Sequence, residues 1–468
     1  MHLWIEWFRC VRMLREACSR ETTFLKMALV LAGISVRSDL LGVTSFVRAG
    51  FFSPAQYRLV LHFFHSEAVS LNLLLRAWVA LALQLFKPVM VDGFRVFVAD
   101  GLKVPKEGKK MPAVKSLHQE SANNSKPPYI MGHSFQVIAM LVEGVAGQCF
   151  AVPLMSRISE GVRFPFEEKL SLLDKLAACF IELADIIEAP ALLVADAYYA
   201  SGKVIVPLLA NGHHLVSRLK KTAVAYLPPP EVHVRRKGRP RIYGNKVKLL
   251  DFFNYPDKFI SVNSPVYGEH NVIIRYFSVN LLWRPVGRLV RFVLVMHPTR
   301  GNIVLLCTSL ILDPLTVIKL YGLRFKIEVS FKQALHTLGT YLYHFWMKTM
   351  QPLQKGDGNQ NLAGYTEKYR RAVERKLGAY HRYVLLGCIA QGLLQHLAIN
   401  HRGDVWFTFK SWLRTMKKDL VPSEFVTANA LRSSLPDFLL SNEHKSELKK
   451  IILDHAEYDR IPGLRMAI

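Results

Sequence analysis

The feature that most constrains the fold is a run of short apolar segments, with one long amphipathic segment among them, between residues 94 and 219. The apolar segments are short and rich in Val, Ile, Leu and Phe, as strands are, whereas the long one repeats its apolar residues at helical spacing. The pattern predicts strands at 94–100, 134–144 and 148–155, a helix over 166–189, a strand at 191–196, a short helix over 202–212 and a strand at 213–219. The predicted order is therefore β-β-β-α-β-α-β.

This order is that of an RNase-H-like α/β (α+β) fold, a mixed sheet with helices on its faces. Residues 220–312 interrupt it with a proline run and several β-type segments, which predict an inserted β-rich subdomain. The predicted organisation is a helical N-terminal region at 1–90, a first part of the core at 91–219, the insertion with a basic loop at 220–312, a second part of the core at 313–400 and a helical tail at 401–468.

Charge narrows the class of partner. Lys and Arg number 61 against 36 Asp and Glu, a net charge of +25, which favours nucleic acid or an anionic membrane surface. The most apolar windows, 24–36 and 71–86, are too short or too interrupted to span a bilayer, so we interpret them as buried helices and expect no membrane partner. A peripheral membrane protein is the alternative that this composition leaves open.

The six cysteines show neither a CxxC motif nor His/Cys ligand spacing. They therefore argue against a zinc site and against a disulfide framework, and they favour a reducing cytosol.

The N-terminal region contains two short amphipathic runs, 38–50 and 53–68, and Ser53-Pro54 is a typical helix start for the second. The pair resembles a helix-turn-helix in outline, which would bind DNA, although any helical bundle produces such pairs.

Three carboxylates occupy positions that this topology can bring together. Asp100 ends the first strand, Asp196 ends the fourth, and Glu328 lies on the helix after the insertion. Hard oxygen ligands suit Mg²⁺ or Mn²⁺, and two such ions about 3.5 to 4 Å apart can assist an in-line displacement at phosphorus. The alternatives are that each Asp caps a turn and that the Glu lies on a solvated helix face.

Helical spacing groups Glu328 with cationic and phenolic side chains. Along one continuous helix at about 100° per residue, Tyr321, Arg324, Glu328 and Lys332 share a stripe about 80° wide. Such donors could hold phosphate oxygens beside a metal-binding carboxylate. Charge pairs at i, i+4 that stabilise an exposed helix explain the same spacing.

The segments "VADGLKVPKEGKKMPAVKSLHQES", "LLVADAYYASGKV" and "DPLTVIKLYGLRFKIEVSFKQALHTLG" resemble the three catalytic regions of bacterial insertion-sequence transposases of the DDE superfamily, in the branch with a YREK signature and a β-rich insertion. The resemblance implies that Asp100, Asp196 and Glu328 form a metal-binding triad. It also implies that Tyr199 is the aromatic residue after the second Asp and that Tyr321 and Arg324 are the first two signature positions.

One position departs from the signature. The family's lysine follows the glutamate by seven residues, where this chain has Leu335. Lys332 lies one turn earlier and could reach a similar phosphate with its flexible side chain. A weakened copy of an insertion element is the alternative.

A basic segment lies between residues 218 and 248, which contain ten Lys and Arg residues and one Glu. Its centre resembles arginine-rich hooks that enter narrow minor grooves, and it predicts DNA contacts by Arg236, Lys237, Arg239 and Arg241. A flexible, solvated loop is the alternative. The resemblance to these transposases also implies that an aromatic residue of the insertion stacks on a flipped base, which makes Trp283 a candidate, with core packing as the alternative.

Together these features predict a DNA transposase that uses two Mg²⁺ ions to hydrolyse phosphodiesters at element ends and then transfers the freed 3′-OH into target DNA. We expect double-stranded DNA, both the inverted-repeat ends and the target, as the partner. We also expect a homodimer in the synaptic complex and a cytoplasmic, nucleoid-associated location. The alternative is a catalytically inactive, sequence-specific DNA-binding protein derived from a transposase.

Overall fold

The computed structural model describes residues 3–40, 42–119, 127–165, 167–230, 241–412, 417–441 and 446–463. The chain divides into two compact units. We call Pro88–Asp100 with Leu170–Ile327 the sheet-rich unit, and Met1–Lys87 with Gly101–Lys169 and Glu328–Ile468 the helix-rich unit.

Thirteen α-helices occur in the described part of the chain. They are α1 Leu3–Arg12, α2 Glu21–Val36, α3 Val43–Ala49, α4 Gln56–Phe64, α5 Leu71–Leu85, α6 Leu172–Ile187, α7 Gly202–Ala210, α8 Pro314–Leu323, α9 Lys326–His336, α10 Glu367–Asn400, α11 Arg402–Thr408, α12 Glu424–Leu440 and α13 Glu447–His455.

The same described residues form fifteen strands. They are β1 Met90–Val91, β2 Phe94–Pro105, β3 Lys115–His118, β4 Tyr129–Glu143, β5 Cys149–Ile158, β6 Val162–Arg163, β7 Ala191–Ala195, β8 His214–Arg218, β9 Val224–Tyr226, β10 Lys246–Lys248, β11 Ile260–Asn263, β12 Ile273–Trp283, β13 Arg288–His297, β14 Gly301–Cys307 and β15 Gln360–Asn361.

Three parallel strands form the centre of the sheet-rich unit. β7 pairs in parallel with β2 on one side and with β8 on the other. Every residue of β7 is buried, as expected for a parallel strand covered on both faces. The helix before it, α6, begins at a capping box in which Ser171 and Asp174 satisfy each other's backbone N–H groups.

Residues 224–307 of the same unit contain the strands β9 to β14. β12, β13 and β14 form an antiparallel meander, and β14 pairs with β8, so the inserted strands continue the sheet. The insertion therefore extends the sheet from the side of β8.

The helix-rich unit contains an antiparallel hairpin of β4 and β5 and a helical core. The end of β2 lies beside β4, where the Lys106 N–H donates to the Met131 carbonyl at 2.9 Å. α10 is the central helix, and the chain at Gly392 passes so close to Trp78 that a Cβ there would lie 2.2 Å from the ring. By length and composition α10 could cross a membrane, yet 89% of its most apolar 18-residue window is buried within the protein.

The fold is mixed α/β and RNase-H-like, as the sequence predicts. The order β-β-β-α-β-α-β is present as β2, β4, β5, α6, β7, α7 and β8. The boundaries of the five predicted regions stay a prediction.

Two local predictions were wrong. The single continuous helix assumed for the stripe from Tyr321 to Lys332 is interrupted, because α8 ends at Leu323 and α9 starts at Lys326. The helix predicted for the run 53–68 is α4, which begins at Gln56, so Ser53-Pro54 precedes this helix instead of starting it.

Candidate active site

Asp100 and Asp196 emerge side by side from the sheet. β2 and β7 run in parallel with Ala99 opposite Ala195, and the next residue along the chain is an aspartate in both cases: Asp100 within β2 and Asp196 directly after β7. Neighbouring strands are about 4.8 Å apart, and residues in the same register point to the same face. The two carboxylates are therefore adjacent at one sheet edge, and both are partly exposed.

Local hydrogen bonds fix the backbone around Asp196. Its side chain accepts from the Tyr198 N–H at 2.9 Å, which caps the short helical turn that follows β7. Its carbonyl accepts from the Ser217 hydroxyl at 2.6 Å, on the strand paired with β7. Asp196 therefore caps the helical turn that follows β7 and also lies beside Asp100.

A cation and a phenol surround the pair. Arg324 Nη1 lies 3.0 Å from Asp100 Oδ2, with both side chains 21% exposed. Arg324 is also hydrogen-bonded to Tyr321. Burial raises the pKa of Tyr321; the charge of Asp196 acts in the same direction, while Arg324 and Arg218 oppose it. Tyr321 is therefore a neutral hydroxyl at physiological pH and can donate a hydrogen bond.

A cavity of about 430 Å³ opens beside these groups within the sheet-rich unit. Its lining joins Arg218, Tyr321 and Arg324 to apolar side chains of the insertion. Farther along, Glu269 contacts His297 at 3.2 Å and Arg300 at 2.6 Å. Burial alone would raise the pKa of Glu269, but its bonds to Ser264 and His297 and the charge of Arg300 lower it.

The donor set at the sheet edge fits a hard divalent cation. Two adjacent carboxylates offer oxygen ligands, and the Arg324 guanidinium already lies against one of them as a positive partner. Asp100 and Asp196 are the residues that would hold such an ion.

Glu328 and Lys332 belong to the helix-rich unit, where both are exposed on α9. Tyr321 lies on α8, and Arg324 lies in the turn that separates α8 from α9. The stripe calculated for one continuous helix therefore does not extend across this turn. The place of Glu328 in the carboxylate set stays a prediction.

The other candidates lie in different environments. Tyr199 is 3% exposed and packs edge-on against Tyr198. Trp283 is 6% exposed at the end of β12, a position that suits core packing. Arg241 is exposed, whereas Arg236, Lys237 and Arg239 lie outside the described residues.

Residues 43–265 match the sequence model of a family described as DDE superfamily endonuclease. This segment contains both Asp100 and Asp196. Residues 43–265 belong to the DDE superfamily. No curated protein matches the chain significantly.

Membership of this superfamily indicates a nuclease of the transposase type that acts on DNA, and DDE enzymes generally use divalent metal ions. The matched segment ends before Tyr321, Arg324 and Glu328. Their roles therefore depend on geometry and on experiment.

Sequence reasoning did not place Ser217 and Arg218 at the site. The sequence pattern groups Arg218 only with the basic residues near the insertion and does not single out Ser217. The signal was present, because β8 follows β7 in a predicted parallel sheet and its last residues must lie at the same edge as Asp196.

Proposed function

We propose that this chain is a DNA transposase that cleaves the ends of an insertion element and joins them to target DNA. The observation that carries the proposal is the register of β2 and β7, which sets Asp100 beside Asp196 with Arg324 against the pair. A structural turn cap explains the contacts of Asp196 but gives no reason for a second carboxylate in the same register.

In this proposal Asp100 and Asp196 bind Mg²⁺, with Glu328 completing the set as the resemblance implies. Two bound ions would neutralise the phosphate and activate the attacking oxygen. Arg324, Arg218 and Tyr321 donate hydrogen bonds to the non-bridging oxygens and so orient the phosphodiester. Lys332 binds a phosphate in place of the family's signature lysine, whose position is occupied by Leu335 in this chain.

Two displacements at phosphorus follow. In the first, a water oxygen bonds to phosphorus, the bond to the 3′-oxygen breaks, and that oxygen takes up a proton. In the second, the freed 3′-OH attacks a target phosphodiester, loses its proton, and displaces the target's own 3′-oxygen. Joining two ends in one complex requires two protomers, and we place the reaction at the bacterial nucleoid, in the cytoplasm.

The test is cleavage of a supercoiled plasmid that carries the element ends, with Mg²⁺ or with EDTA. We expect Asp100→Asn and Asp196→Asn each to lower the cleavage rate at least about a hundredfold, because each removes a negative carboxylate that would hold the metal ions. EDTA should abolish cleavage by the wild-type protein.

Asp257→Asn is the matched control, because Asp257 is an exposed carboxylate of the same unit outside the site. Cleavage by Asp196→Asn at the wild-type rate would overturn the proposal. DNA binding without cleavage by the wild-type protein would favour the inactive DNA-binding alternative.

A further inference from the structure

A strongly basic cleft of about 620 Å³ lies in the helix-rich unit, between α4 and the first turns of α10. We call it the basic cleft. Its lining residues are Arg58, Leu61, His62, His65, Lys368, Arg371, Ala372, Arg375 and Lys376. None of the predicted site residues is among them.

The cleft is formed by one face of each helix. On α4 and its C-cap the lining residues recur at spacings of three and four, from Arg58 to His65. On α10 they recur in the same way from Lys368 to Lys376, with Ala372 between the charged positions. Leu61 and Ala372 supply an apolar floor, and the long cationic side chains form the walls.

Positive charge is concentrated in this cleft. Five of its nine lining residues are Lys or Arg, and no described lining residue is acidic. Arg371 pairs with Glu367, one turn earlier on α10. Burial and the charge of Arg375 lower the pKa of Lys376. These cations therefore repel one another, and a bound polyanion would relieve the repulsion.

A neutral histidine holds one of these cations in place. Burial lowers the pKa of His65 to about 4, so the ring is uncharged at neutral pH. His65 Nδ1 lies 3.2 Å from the Leu61 carbonyl and Nε2 lies 3.1 Å from Lys376 Nζ. The ring thus donates to the backbone and accepts from the lysine, which keeps the ammonium group at the cleft.

We propose that the basic cleft binds the phosphodiester backbone of duplex DNA outside the active site. This inference rests on the proposed function and adds a DNA contact that the carboxylate site does not supply. From Lys368 to Lys376, α10 rises about 12 Å, which matches three or four phosphates along one DNA strand. A row of cations of that length suits an extended polyanion better than a single phosphate group.

The experiment is fluorescence anisotropy with the full chain and a 40-base-pair duplex, in EDTA, over a series of salt concentrations. Because binding is measured without divalent metal, it is independent of catalysis. The slope of log K against log salt is negative, and each lost phosphate contact should make it shallower by about 0.9. We therefore expect Arg371→Gln/Arg375→Gln to reduce the slope by about 1.8 and to weaken binding at least about tenfold at 0.1 M salt.

Lys417→Gln/Lys418→Gln is the matched control, because it removes two exposed positive charges of the same unit outside the cleft. Lys368→Gln, a single change in the cleft, should reduce the slope by about 0.9. Circular dichroism should give both cleft variants the wild-type melting curve, since the changed side chains are exposed.

A double cleft variant with the wild-type slope and affinity would overturn the inference and leave the proposed nuclease untouched. Equal losses in the cleft and control variants would overturn it too. Failure of the wild-type protein to bind duplex DNA would instead count against the proposed function itself.

Discussion

At the scale of single residues, a buried carboxylate stabilises the junction of α1 and α10. Glu6 accepts two hydrogen bonds from Arg9, at 2.7 and 2.6 Å, and its Oε1 lies 2.9 Å from His396 Nε2. The hydrogen bond from Arg9 is the largest cause that lowers the pKa of Glu6 to about 2, against the opposing effect of burial.

The spacing of Glu6, His396 and His401 also resembles a metal-binding group. Hydrogen bonding argues for a charge network instead. The Asn400 amide donates to the Leu85 carbonyl at 3.1 Å and to His396 Nδ1 at 2.8 Å, so the ring proton lies on Nε2 and points at Glu6. Arg9 already occupies the carboxylate from the other side.

This network predicts a stability that depends on pH. Because the pKa of Glu6 is lower in the folded chain, its contribution is complete above about 4.5 and is lost as the pH falls through about 2. A difference of this size corresponds to about 3 kcal/mol. Glu6→Gln should therefore lower the free energy of unfolding by about 2 to 3 kcal/mol at pH 7, and by about half as much at pH 3.

Urea unfolding at pH 7 and at pH 3 measures this. Glu16→Gln, at an exposed position nearby, should change stability by less than about 0.5 kcal/mol at either pH. A destabilisation by Glu6→Gln that is equal at both pH values would contradict the prediction.

Much of the candidate site could be predicted at this scale. Asp100 and Asp196 are recognisable because each ends an apolar run, and strand ends in a parallel sheet share an edge. The contact of Arg324 with Asp100 joins residues 224 positions apart, so local spacing does not contain it. The burial that raises the pKa of Tyr321 is likewise a property of the folded chain.

At the scale of elements, strands were easier to predict than helix ends. Each strand of the core is a short apolar run, so the order of strands and helices along the chain can be predicted from the sequence. The break between α8 and α9 has no proline to mark it. It arises where the N–H groups of Arg324 and Ile327 bond three residues back, to Tyr321 and Arg324, as in a tighter helical turn.

The contact between α10 and α5 depends on a glycine. A Cβ at position 392 would lie 2.2 Å from the Trp78 ring, which is fully buried and donates to the Pro153 carbonyl at 3.0 Å. Gly392→Ala should therefore destabilise the protein by about 1 to 3 kcal/mol, because overpacking outweighs the better helix propensity of alanine.

Gly378→Ala tests the same helix without the obstruction. Its Cβ would meet only the flexible end of Arg382, at 3.3 Å. We expect it to stabilise the protein by about 0.5 to 1 kcal/mol in thermal unfolding. Equal effects of the two substitutions would show that helix propensity, and not the approach of Trp78, decides the outcome.

At the scale of the whole molecule, the net charge of +25 exceeds what one cleft can account for. The wild-type protein should therefore bind duplex DNA with a log K against log salt slope of about −5 or steeper, of which the cleft pair contributes about 1.8. Salt titrations of wild-type and cleft variants measure both quantities. A wild-type slope near −2 would mean that the remaining cations do not meet phosphates.

The register of β2 and β7 limits how sequences of this kind can diverge. Adding or deleting one residue between Ala191 and Ala195 would turn every later side chain of that strand over, and the second aspartate would face away from the first. We therefore expect insertions and deletions to be tolerated only in the connections outside these two strands, whereas substitutions within the strands leave the register unchanged.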